Sequence, residues 1–179
     1  MDSANTPTPT TQPAVIVMGV SGCGKSTVGE HLAAAMGWPM LEGDAYHSEA
    51  NIAKMHAGVP LNDDDRSGWL ARLAQLLAGS TGVVLTCSSL KAKYRAQLRA
   101  ARAPGQVLFV FLDLPYEAAL QRVQQRAGHF FSPELVANQF ATLERPQGEP
   151  GVLTVDATAP LEQIQQRIEQ WLRTGHAAA

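Results

Sequence analysis

The chain has 179 residues, of which 45% are hydrophobic and 17% charged, with a formal net charge of −2. This composition excludes a disordered chain, and the charge balance argues against a broad nucleic-acid-binding surface. No apolar run approaches membrane-spanning length. The two cysteines, Cys23 and Cys87, belong to no metal-spaced cluster, so both are expected as free thiols in a reducing, cytoplasmic compartment.

Residues 1–13, MDSANTPTPTTQP, are polar and proline-rich, without the basic and apolar regions of a secretory signal. They are expected as a disordered tail ahead of a single domain over 14–179. The run AVIVMGV (14–20) reads as a buried strand, and KSTVGEHLAAAM continues as a helix stopped by Gly37. Between them, Gly19, four residues and then Gly24-Lys25-Ser26 match the P-loop spacing. Each part has a physical task. The backbone from Gly19 through Val20, Ser21, Gly22, Cys23 and Gly24 can turn its N–H groups into one anion-binding concavity. The following helix aims its positive end at the same point. Lys25 would reach the β- and γ-phosphates and Ser26 a Mg²⁺ ion, with Thr27 in the first helical turn.

PMLEGD (39–44) reads as a second strand ending in acids, followed by a helix in HSEANIAKMHAG. NDDDRSGWLARLAQLLAGS predicts an amphipathic helix with acids in its first turn. GVVLTC (82–87) is the third strand and SLKAKYRAQLRAAR a basic helix. VLFVFLD (107–113) is the fourth strand, and two proline-started helices follow, in PYEAALQRVQQRA and SPELVANQFATLE, the second with Ser132 as N-cap. GVLTVDA is the fifth strand and PLEQIQQRIEQWL the closing helix. Five apolar strands alternating with helices predict an α/β fold, a parallel sheet covered on both faces. Ligands are then expected beyond the carboxyl ends of the strands.

Polar groups gather at those ends. Asp44 could orient an acceptor hydroxyl and take its proton, or else cap a helix. Glu42 lies on the same side if the chain stays extended, and could hold a metal-bound water. His47, Lys54 and Arg66 are candidate acceptor-site groups over 44–68, with Arg66 suited by its fork to a carboxylate. The other reading has Arg66 paired on the surface with Asp63, Asp64 or Asp65. Ser88 and Ser89 offer hydroxyls, while Lys91 and Arg95 stand at i and i+4 of the basic helix. Arg122 and Arg126 have the same spacing, just before Gly128, in a segment (126–133) suited to a closing lid. Arg126 could neutralise charge on a transferring phosphoryl group, and Arg122 could stack on adenine. Asp113 is expected as a helix cap and not as a nucleotide motif.

Taken together, MGVSGCGKSTVG, EGDAYHSEANIAKMHAGVPLNDDDRSGWL, CSSLKAKYRAQLR and GHFFSPELVANQFATLERP resemble the gluconate kinase family of small P-loop kinases, relatives of shikimate and nucleoside-monophosphate kinases. The resemblance runs from about Val15 to the last helix. It implies strand order 2-3-1-4-5, ATP and Mg²⁺ as cofactors, transfer of the γ-phosphoryl group to the 6-hydroxyl of D-gluconate, and a homodimer. It implies nucleotide contacts from Gly19 to Thr27. Acceptor contacts are implied for Asp44, His47, Lys54, Arg66, Ser88, Lys91 and Arg95, and lid contacts for Arg122, Arg126 and His129. One position departs from the family pattern: Glu42 stands where an aspartate of an Asp-Gly-Asp is expected. The rival readings are a kinase of the same fold for another small acceptor, such as shikimate, and a nucleotide sensor without activity.

Overall fold

The five apolar runs form the strands of one sheet: β1 (Ala14–Met18), β2 (Met40–Glu42), β3 (Val83–Thr86), β4 (Val107–Asp113) and β5 (Val152–Asp156). A computed structural model describes residues 11–126 and 133–175. The spatial order is β2-β3-β1-β4-β5, and every neighbouring pair is parallel. The α/β class and the strand order are those expected above. The helices are α1 (Lys25–Met36), α2 (Glu49–His56), α3 (Asp63–Ala78), α4 (Ala92–Arg99), α5 (Tyr116–Gln125), α6 (Pro133–Thr142) and α7 (Leu161–Arg173).

Strand β1 lies at the centre and is fully buried, so its alternating side chains sort into two cores. Val15 and Val17 pack with Val28 and Leu32 of α1 and with Ile164, Ile168 and Trp171 of α7. Ala14, Ile16 and Met18 pack with Trp69, Leu70, Leu73 and Leu77 of α3 and with Tyr94 and Leu98 of α4. Each fully buried leucine contributes about 1.5–3 kcal/mol of transfer free energy. The α3 stripe therefore holds one face of the sheet with most of its apolar side. Its start is a capping box, in which Asn62 accepts the Asp65 N–H and Asp65 accepts the Asn62 N–H.

Two sequence expectations change, and a third segment lies outside what the structure describes. The chain is tied down earlier than residue 14, because the Gln12 carbonyl accepts from Gly82 N–H and from Arg102. Asp113 does not cap α5, whose N-cap is Pro115. Its carboxylate instead pairs with both terminal nitrogens of Arg145, at 3.1 and 2.5 Å. The α6 cap at Ser132 and nearly all of the lid segment, including Gly128 and His129, lie outside the described residues.

Strand β2 ends in a 3₁₀ turn, Gly43–Tyr46, that brings Asp44 to the carboxyl edge of the sheet. A Cβ on Gly43 would stand 2.1 Å from the Thr86 carbonyl oxygen. Only glycine allows this approach of β2's exit to the end of β3. Gly43→Ala is therefore expected to lower stability by about 2–4 kcal/mol, as a backbone displacement in a packed region does. Urea unfolding of the two proteins measures this, and a change under about 0.5 kcal/mol would show that the turn can open at no cost.

Candidate active site

The loop after β1 is held from three sides. Gly19 N–H donates to Ser88 O at 3.3 Å, Arg122 donates to Gly22 O at 3.1 Å, and Ser21 N–H donates to Gln139 Oε1 at 2.7 Å. Gly24 is the N-cap of α1 with φ +98°, a left-handed conformation that favours glycine. No side chain caps α1 and its first turn carries no acid. Its leading N–H groups are thus left to an anion at the loop, where the helix dipole adds to them. Lys25 lies folded over the loop, its Nζ donating to Gly19 O at 3.0 Å and Val20 O at 3.2 Å. The ammonium thus sits on the concavity and satisfies itself on carbonyls of the loop.

This loop floors a cleft shared by Lys25, Ser26, Thr27, Glu42, Asp44 and Arg126. A second cleft continues from it along Gly22, Arg122 and Arg126 towards Ala157 and Leu161. Arg122 also donates to Ala157 O at 3.1 Å, bracing the loop against the end of β5. The donor set fits a nucleoside triphosphate with its cation: a ring of backbone N–H groups, one lysine, one arginine and the Ser26 hydroxyl beside two carboxylates. Glu42 is partly committed, since Thr86 Oγ1 donates to its Oε2 at 2.6 Å and itself accepts the Gly43 N–H at 3.3 Å.

On the other side of Asp44 lies a separate pocket. Asp44, His47, Arg66, Trp69, Ser88 and Gln139 line it. Asp44 borders both the phosphate cleft and this cavity. His47 is stacked on Trp69, ring centroids 4.1 Å apart, and its Nε2 is 3.8 Å from Asp44 Oδ1. Asn51 Nδ2 faces His47 Nδ1 at 3.3 Å, which makes Nδ1 the acceptor and leaves the proton on Nε2, towards Asp44. Burial holds the His47 pKa below its ordinary value; Asp44 opposes this and Arg66 adds to it. The ring is therefore neutral near pH 7.

Arg66 does not pair with Asp63, Asp64 or Asp65 among the described residues. Its Nη1 donates to Leu61 O at 2.7 Å and to the Tyr94 hydroxyl at 3.3 Å, and the guanidinium lies 5.5 Å from the Tyr94 ring centroid. The rest of the fork has no protein acceptor among the described residues and borders the cavity. The neighbouring acids are taken by other groups. Asp63 accepts from Lys91, Lys93 and Tyr94, which hold its carboxyl far below the usual range. Asp65 accepts from Lys54 through both oxygens at 2.8 Å.

The three remaining basic candidates are therefore not gathered at the cavity. Lys54 ties α2 to α3, and Lys91 ties the start of α4 to Asp63. Lys91 and Arg95 do not share a helical face, because Lys91 is the extended N-cap of α4. The guanidinium of Arg95 is 0% exposed and its donors are used within the protein. It pairs with Glu149 at 2.6 Å, donates to Ser89 O at 2.8 Å and to Glu144 O at 2.9 Å. This differs from the acceptor contact that the resemblance implies for Arg95. It supports the loop that carries Ser88, where Ser89 has φ +50°. Desolvation pushes the Cys87 thiol, at the floor of the phosphate cleft, up to about 11.

The lining residues missed from the sequence include Thr86, Trp69, Asn138 and Gln139. The amides had a readable signal. Gln139 lies four residues after Leu135 on α6, so a polar group stands on the buried face.

A family model described as an AAA domain matches residues 15–150. Among characterised sequences, the chain is 45% identical over 145 residues to a gluconokinase of Gluconobacter oxydans, covering 79% of this chain and 80% of that one. It is 40% identical over 161 residues to the thermosensitive gluconokinase of Escherichia coli K12, covering 87% and 84%. A crystal structure of a gluconokinase from Sinorhizobium meliloti superposes with a TM-score of 0.85 at 44% identity, over 93% of this chain and 94% of that one. With the P-loop and the strand order in place, these likenesses show that the chain belongs to the gluconokinase family of P-loop kinases.

Proposed function

We propose that the chain transfers the γ-phosphoryl group of ATP to the 6-hydroxyl of D-gluconate, giving 6-phospho-D-gluconate and ADP. The observation that carries this reading is Asp44, which borders both the phosphate cleft and a cavity offering a cation and neutral hydrogen-bonding groups. Gluconate is a linear polyhydroxy acid. Arg66 supplies a planar fork for its carboxylate, and His47 and Ser88 supply partners for its hydroxyls. The homologues named gluconokinase support the same substrate.

Asp44 orients the 6-hydroxyl and accepts its proton as the O–P bond forms. Transfer goes through a loose transition state, so alignment and charge neutralisation outweigh base strength. Lys25 exchanges its two loop carbonyls for phosphate oxygens, and Arg126 adds positive charge at the transferring group. Arg122 borders the cleft in which the adenine is expected. Ser26 is the residue that would hold Mg²⁺; bound there, the ion would neutralise charge on the phosphates. His129 and the lid segment complete the enclosure in this reading. The enzyme is proposed to act as a homodimer in the cytoplasm. Among the described residues no helix is long and apolar enough to cross a membrane.

The direct test is ATP consumption with gluconate coupled to oxidation of 6-phosphogluconate, run beside a panel of other sugar acids and shikimate. Turnover only with another acceptor would overturn the substrate assignment. Lys25→Ala should abolish turnover without unfolding the protein. Asp44→Asn should lower kcat by about 10²–10⁴-fold with ATP binding kept; an effect confined to the gluconate KM would make Asp44 a binding residue only.

Arg66→Ala should raise the gluconate KM by roughly 10–150-fold, the equivalent of a charge-assisted pair of about 1.5–3 kcal/mol, with the ATP KM nearly unchanged. Arg66→Lys should restore part of it. An unchanged gluconate KM in Arg66→Ala removes Arg66 from the site.

The buried neutral His47 has a further consequence for pH. Its pKa is lowered on folding, so below its ordinary value of 6.5 the unfolded chain takes up the proton first. Stability is retained above that pH and is lost as the pH falls towards the folded-state value. Thermal melts between pH 7.5 and 5.5 should show a smaller decline for His47→Gln than for the wild type, and equal declines would count against a neutral buried ring.

A further inference from the structure

Gln139 is 9% exposed, on the face of α6 that turns towards the P-loop. Its Oε1 accepts the Ser21 N–H at 2.7 Å, a bond that joins residues 118 positions apart. That bond decides the orientation of the amide, because a backbone N–H requires the oxygen and not the nitrogen. The Nε2 group is left with two donors. It has no protein acceptor among the described residues, and it is not among the sealed side-chain atoms that lack a partner. Gln139 lines the cavity with Asp44, Arg66 and Ser88, which places those unused donors beside it. A buried amide with its acceptor used and its donors beside a polar cavity calls for a ligand oxygen.

We infer that Gln139 is a specificity-determining residue whose Nε2 donates to an oxygen of the sugar acid while its Oε1 anchors the phosphate loop; this rests on the gluconate reading. One rigid amide then spans both substrates. The acceptor is registered against the loop that holds the phosphates, and a small error in that register is costly for an in-line transfer. Asn138, the preceding residue on α6, borders the same cavity and adds a second amide to that wall. The competing view makes Gln139 only a clamp on Ser21, with its nitrogen idle.

Two substitutions separate the views. Gln139→Glu keeps the length and an oxygen for the Ser21 N–H, but at neutral pH it has no donor. Gln139→Leu removes both halves of the amide. Steady-state kinetics are measured for the wild type and both variants, with ATP affinity measured separately and circular dichroism as the check on folding. Gln139→Glu should raise the gluconate KM by about 10-fold or more while the ATP affinity stays within about twofold. Gln139→Leu should weaken both substrates. A gluconate KM within about twofold of wild type in Gln139→Glu, or equal losses for gluconate and ATP in that variant, would leave only the clamp and overturn the inference. The wild type tests the substrate reading separately: if it does not turn over gluconate, that reading fails. The KM comparison is then made with whichever acceptor of the panel is turned over, where an unaffected Gln139→Glu still overturns the role of the amide.

Discussion

The Thr86 hydroxyl holds the centre of the site together. It donates to Glu42 and accepts from Gly43 N–H, joining the last residue of β3 to the exit of β2. The chain of β2 can come this close only because Gly43 has no side chain to meet the Thr86 carbonyl. Asp44 follows directly and is delivered to the border of both clefts. The Trp69 indole N–H donates to Gly43 O at 2.8 Å from the other side, so the turn is gripped by the sheet and by α3. In the proposed reaction, where Asp44 aligns a hydroxyl with a phosphate, such a mount matters because its own side chain is well exposed.

Charge is distributed around the cavity beside Asp44 with little left over. Asp63 gathers Lys91, Lys93 and Tyr94, and Asp65 takes Lys54. Glu149 takes Arg95 and Arg99. These pairs join α2 to α3, α3 to α4, and α4 to the segment before β5. What remains is Arg66, backed by a carbonyl and the Tyr94 ring and not by an acid. A guanidinium with no carboxylate in ion-pair contact among the described residues is suited to an anionic ligand, because no such pair has to be broken first. His47 serves the opposite need. Stacked and buried, it stays neutral beside Asp44 and offers hydrogen bonds without adding charge.

The sequence was legible where the physics is local. Strand β1, the P-loop and α1 were readable because apolar runs, glycine spacing and the helical period all act over a few residues. The strand class and the helices followed from the same periodicities, and the family resemblance supplied the strand order. Arg95 and Lys91 were misplaced because i, i+4 spacing implies a shared face only inside a helix, and Lys91 stands at the cap. Asp113 was misjudged for a related reason: its partner Arg145 is 32 positions away.

By itself, then, the sequence determined the architecture, the phosphate cradle and the segment from which an acceptor site would be built. Only the tertiary structure decided which cations stay at the cavity and which are spent on ion pairs. It also turned Lys25 onto its own loop, left Arg66 without an ion-paired acid among the described residues, and brought Gln139 to Ser21 across 118 positions. Local patterns record what each residue does to its neighbours in the chain. The partner of a charge or an amide is set by the packing of elements distant in sequence, and no spacing rule records that.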